Sequence, residues 1–215
     1  MCEFCTELRW QRAEPARTVW QSEEWALIPT KGCFIRGYCL LLPIEHELSL
    51  GTLAAEDLQT AAVTLDWIRS IIERRFGPTI VAEHGATVCD AGAACCDHAH
   101  LHIVPAGDTS EVERAYRRVG GEPLVLSGVE ELARFRGAAY VYLSPGAKRH
   151  LVWAARNFPR QFVRRVTSRV VGKGEYYDWR VHSFEEEMWA TKSILQPLLK
   201  GESCGAHFEP VSSRI

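Results

Sequence analysis

The stretch that most constrains this chain is His98-Ala99-His100-Leu101-His102-Ile103-Val104-Pro105. Three histidines alternate with apolar residues. A period of two is strand geometry, so the three imidazoles share one face, spaced by roughly 6.5 to 7 Å along the strand. Ala99, Leu101 and Ile103 point the other way, into a core. Three buried rings on one side all need polar partners, which incidental histidines rarely find together. Two chemistries want such a face. One is a metal site. The other is attack by a neutral imidazole whose second nitrogen is fixed as a donor, with neighbouring rings binding phosphate oxygens. Upstream lie Glu83-His84-Gly85 and a small-residue loop ending in Ala93-Ala94-Cys95-Cys96. Small side chains let backbone amides approach an anion closely, so Gly85 and this loop are candidate phosphate contacts.

The 215 residues are 47% hydrophobic, enough for a substantial core. A net charge of −2 does not favour nonspecific binding to nucleic acid. No apolar run is long enough to span a bilayer, and Met1-Cys2-Glu3-Phe4-Cys5 is not a signal peptide, so the expected place is the cytoplasm. Cys2 and Cys5 have metal-ligand spacing but supply half a tetrahedral site. His46 and His98 are candidates for the other half, with Cys89, Cys95 and Cys96 as rivals.

The pattern predicts a strand at Trp25–Pro29 and another at Gly37–Pro43, joined as a hairpin through Lys31-Gly32. Residues 7 to 22 read as a helix or turn followed by a connector. From 54 to 76, Leu58, Ala61, Ala62, Leu65, Ile68, Ile72 and Phe76 recur at helical spacing, and Gly77-Pro78 stops the helix. A strand at Thr79–His84 leads to the loop. Beyond Pro105 the chain reads as a helix at Glu111–Arg118, a strand at Leu124–Leu126, a helix at Val129–Phe135, and a hairpin around Ser144-Pro145-Gly146. A helix at Pro159–Val171 opening on its proline follows, then a last helix at Glu185–Leu199.

The triad, written His-φ-His-φ-His-φ-φ, resembles the signature of the histidine-triad (HIT) superfamily of nucleotide hydrolases and transferases. The order Cys-x-x-Cys, then Gly37-Tyr38-Cys39-Leu40-Leu41-Leu42-Pro43-Ile44-Glu45-His46, then a helix, then the triad, matches over about residues 1 to 106. The resemblance implies an α+β fold, a HIT-like antiparallel sheet with a long helix packed on it, here with a carboxy-terminal α/β extension. The expected division is a catalytic domain at 1–106, an extension packing on it at 107–200 and a loose tail at 201–215. Zinc-bearing members close the amino-terminal pair with the histidine of the Pro-x-x-His turn and the first triad histidine, which implies a structural zinc on Cys2, Cys5, His46 and His98. Members of the family often dimerise; a homodimer is one expectation, and coverage of that surface by the extension is the other.

The resemblance also implies that His100 attacks an α-phosphorus to form a covalent nucleotidyl-histidine, with His102 and His98 as further catalytic candidates. Water as acceptor gives a hydrolase of phosphoesters or phosphoramidates, and another acceptor a nucleotidyltransferase. The family's acidic ribose-binding residue is replaced here by Thr30-Lys31, which become the candidate substrate contacts. Cys95 and Cys96 stand where a hydroxyl or amide side chain meets the leaving group. From Lys148 to Gly174 there are eight basic residues and no acidic one. Arg160, Arg164 and Arg165 are expected to share a helix face that binds phosphates. Two other readings are a metalloenzyme whose histidine face holds the catalytic metal, and a nucleotide-binding module without catalysis.

Overall fold

A computed structural model describes residues 2–9, 16–87 and 98–201. Its centre is one antiparallel sheet of eight strands: β1 (Trp20–Gln21), β2 (Trp25–Pro29), β3 (Cys39–Pro43), β4 (Thr79–Gly85), β5 (Leu101–Pro105), β6 (Leu124–Leu126), β7 (Tyr140–Gly146) and β8 (Arg149–Ala154). Their order across the sheet is β1-β2-β3-β5-β4-β7-β8-β6. The fold is α+β, with a long helix on one face, as the sequence predicts. The later strands continue the same sheet: β7 pairs with β4 from Val81↔Ser144 to Gly85↔Tyr140.

Helix α2 (Ala55–Phe76) follows the expected span. Its first turn carries Glu56 and Asp57 and its last Arg74 and Arg75, each complementing the helix dipole. It ends at Gly77, whose φ of 94° favours glycine and whose amide closes on the Glu73 carbonyl. Its buried side packs Leu58, Ala61, Leu65, Ile68 and Ile72 against Leu27, Leu41, Val81, Leu101 and Ile103. The opposite face of the sheet shows Ile28, Leu40, Ile80, Ala82, Val104, Val141 and Leu151. Three helices cover it: α1 (Glu3–Arg9) through Phe4 and Leu8, α3 (Thr109–Gly120) through Val112 and Tyr116, and α4 (Phe162–Val170) through Phe162, Val163 and Val166. The last helix, α5 (Glu185–Gly201), sends Leu195 to one cluster and Met188 to the other. Burying a side chain of this size stabilises by about 1.5–3 kcal/mol, so both faces matter to the fold.

Two expectations are corrected. The amino-terminal helix begins at Glu3, earlier than the mixed composition after residue 7 implied. Helix α4 does not open on Pro159. Gln161 stands before it in the left-handed region at φ 58°, and this turn delays the helix to Phe162. Arg160 therefore precedes α4 and is exposed, Arg164 is buried, and Arg165 is half-buried over the Tyr177 ring, so the three share no helix face.

Candidate functional site

The triad enters the sheet between two strands. His102 stands opposite Leu40 of β3 and Ala82 of β4. His98 and His100 lie just before β5, where the Ala99 amide donates to the Glu47 carbonyl at 2.6 Å. All three rings sit on the side away from α2. The Phe4 ring lies 5.7 Å from His98 and 5.5 Å from His100, and the His100 and His102 rings are 4.7 Å apart. By strand alternation His84 of β4 shares that side with Ala82.

Each ring is fixed differently. His100 Nδ1 lies 2.7 Å from its acceptor, the His98 carbonyl. Nδ1 therefore carries the proton, and Nε2 keeps its lone pair. Burial pushes the His100 ring down to about 4; the bond to His98 opposes this, and repulsion from His98, His84 and Arg164 adds to it. At neutral pH His100 is uncharged. His102 Nδ1 sits 2.7 Å from the Tyr38 hydroxyl. Burial holds this ring well below the usual histidine range, with His100, His84 and Arg164 adding to the effect.

His98 turns elsewhere. Its Nε2 donates to the Pro43 carbonyl at 2.9 Å, and its Nδ1 lies 3.5 Å from Cys2 Sγ and 3.6 Å from Cys5 Sγ. His46 Nδ1 is 3.2 Å from Cys5 Sγ. The four donor atoms lie within 4.8 Å of one another. A tetrahedral zinc with ordinary bond lengths holds sulfur and nitrogen ligands roughly 3.5 Å apart, so the donor set and spacing fit that ion. His98 has one nitrogen on a carbonyl and the other among thiols. Among the described residues this is the one group of three or more such donors, and it includes neither His100 nor His102.

A cavity of about 30 Å³ adjoins the triad. It is lined by Glu3, Phe4, Arg17, Thr30, Lys31, Leu40, His100, His102, Arg164 and Trp179. Thr30, Lys31 and Arg164 thus line the same cavity as His100 and His102. Thr30 is buried, and Lys31, half exposed, pairs with Glu3. Arg160 is not among the lining residues. Neither is Gly85, where a Cβ would lie 2.4 Å from the Tyr140 ring. Cys89, Cys95, Cys96 and the loop through Ala94 lie outside the described residues. Sequence reasoning missed Phe4, Arg17 and Trp179 as site residues. Phe4 had a signal, since it stands between the two cysteines.

No sequence-family model and no curated protein matches the chain. Its fold is similar to solved structures of HIT proteins. One is a HIT family protein from Bacillus anthracis, 20% identical, covering 48% of this chain and 72% of that one at a TM-score of 0.42. Another is a zinc-bound histidine triad family protein from Mycobacterium smegmatis, at 22%, 48%, 73% and 0.41. A third is a hypothetical histidine triad nucleotide-binding protein from Sulfolobus tokodaii, at 22%, 48%, 68% and 0.41. No helix among the described residues is long and apolar enough to cross a membrane.

Proposed function

We propose that this protein cleaves nucleotide phosphoesters or phosphoramidates, or transfers their nucleotidyl group, through a covalent bond between phosphorus and His100. One observation carries the reading: His100 donates Nδ1–H to the His98 carbonyl at 2.7 Å, which leaves Nε2 as an uncharged nucleophile beside a cavity.

The reaction runs in two displacements. His100 Nε2 attacks phosphorus as the bond to the leaving oxygen or nitrogen breaks. Tyr38, donating to His102 Nδ1, keeps a proton on His102 Nε2, which is then placed to bind a phosphate oxygen as charge builds there, while the departing atom takes its proton from solvent. A water then attacks phosphorus, the P–Nε2 bond breaks, restoring the His100 lone pair, and the water's proton passes to solvent. A phosphate or sugar phosphate in place of water gives transfer. Burial keeps both rings neutral, so the lone pair of His100 is available over the physiological range.

Cys2, Cys5, His46 and His98 are the residues that would hold zinc, which would supply a structural clamp of α1 onto the sheet. The chemistry of the two displacements belongs to His100 and His102. The test is turnover of nucleoside phosphoramidates, dinucleoside polyphosphates and nucleotide sugars by wild type and His100→Asn. Wild type should turn over at least one class, and the variant should lose about a thousandfold or more while staying folded. A His100→Asn protein with wild-type rate ends the proposal.

A further inference from the structure

Helix α4 sends Arg164 into the wall of the triad cavity, where the side chain is only 1% exposed. Its guanidinium is held on three sides. Nε donates to the Tyr177 carbonyl at 2.6 Å, Nη1 to Thr30 Oγ1 at 3.2 Å, and Nη2 to the Gly32 carbonyl at 2.5 Å. It lies over the rings of Phe34 and Tyr38, at 5.2 and 5.3 Å from their centroids. Every one of these partners is neutral.

The other two cations lining the cavity are neutralised. Arg17 makes a two-pronged pair with Glu7 at 2.6 and 2.7 Å, and Lys31 pairs with Glu3. Among the described residues, Arg164 has no carboxylate partner. A buried permanent charge without a counter-charge is disfavoured by several kcal/mol unless something supplies the opposite sign. Three of its five N–H groups are committed, which leaves part of the fork for a ligand. Gly32 lets Arg164 and Trp179 pack closely against the turn. It has φ +65°, and a Cβ there would lie 2.7 Å from Arg164 Nη2 and 2.6 Å from Trp179 Cβ.

Cavity size narrows the ligand. Pockets for whole organic ligands run to several hundred Å³. About 30 Å³ is roughly one water's share of liquid volume, room for a phosphate oxygen and not for a whole nucleotide, and the half-exposed Glu3 and Lys31 side chains border it. We propose that Arg164 is the anion-binding residue of this site, taking non-bridging oxygens of a phosphate group, while the rest of the substrate lies outside past Glu3 and Lys31. This rests on the reading of the cavity as the place where His100 meets phosphorus. The second half of the chain then contributes directly to the site, and its bidentate fork recognises the group that the imidazoles act on. A purely structural arginine, stapling the β2–β3 turn to Tyr177, would have no response to phosphate.

The probe is inorganic phosphate added to the full chain, followed by calorimetry. Wild type should bind one phosphate. Arg164→Lys should weaken it severalfold, and Arg164→Gln about tenfold or more, with folding checked by circular dichroism. In ¹⁵N-labelled wild type the Arg164 Nε–H resonance should shift saturably with phosphate, and this decides the matter if Arg164→Gln fails to fold. A folded Arg164→Gln with wild-type affinity, an Arg164 resonance unmoved by phosphate, or a wild type that binds none overturns the proposal. Failure of the His100 nucleophile would leave these isotherms as predicted, so the two ideas fail separately.

Discussion

Glu83 gives a prediction that needs no substrate. It lies on β4 with its side chain toward α2, fully buried, accepting from the Leu50 amide at 2.7 Å and the Tyr140 hydroxyl at 2.5 Å. Burial pushes its carboxyl from 4.5 up to about 7; the bonds from Tyr140 and Leu50 pull the other way and do not cancel it. The folded protein therefore holds this proton more tightly than the unfolded chain. Between pH 4.5 and 7 the folded state carries more protons, so stability must fall as pH rises through that window. The full contribution is present below the unfolded value and is lost above the folded one. The gap between the two values corresponds to ~3 kcal/mol. Glu83→Gln removes the titration while keeping one acceptor. The assay is urea denaturation of both proteins from pH 5 to 8. The difference between wild type and variant should change by ~3 kcal/mol across that range, a midpoint change of about 1 M or more. Wild type and Glu83→Gln with parallel pH profiles would refute the reasoning, because every other titrating group cancels in that difference.

Tyr38→Phe removes the hydroxyl beside His102 and leaves a buried Nδ1 without that partner; kcat should fall about 5- to 150-fold, corresponding to ~1–3 kcal/mol, with KM less affected. Cys2→Ser with Cys5→Ser should abolish bound zinc in elemental analysis and lower the thermal midpoint, since α1 would lose its clamp and be held by Phe4, Leu8 and the Glu3–Lys31 and Glu7–Arg17 pairs. Retained zinc in that protein would show that the ligand set is wrong.

How much of this was legible depended on how local the cause was. The shared side of His100 and His102 was, because alternation is a property of consecutive residues, but the strand begins only at Leu101, so His98 and His100 precede it. The α2 span was, because its apolar period and Gly77 are local. Cys2 and Cys5 have metal-ligand spacing, and the resemblance to the triad family pointed to His46 and His98 as their companions. The division of labour among the histidines was not legible: that His98 turns to the thiols depends on the Pro43 carbonyl, 55 positions away. The basic segment was visible as charge, but which arginine enters the site depends on where α4 starts. The left-handed turn at Gln161 sets that, and no helical period reveals it. Trp179 and Arg17 reach the cavity through tertiary packing alone. Glu83 was readable as part of a strand, and alternation with Ile80, Ala82 and His84 places it on the opposite face from the triad.

The central claim is a bond between His100 Nε2 and phosphorus. Wild-type protein is mixed with an activated nucleotide, quenched in alkali where a phosphorus–nitrogen bond on histidine survives, digested and sequenced by mass spectrometry. The account predicts a nucleotidyl mass increment on His100, absent from His100→Asn. An increment on another residue, or turnover with the His100 peptide unmodified throughout, would contradict it.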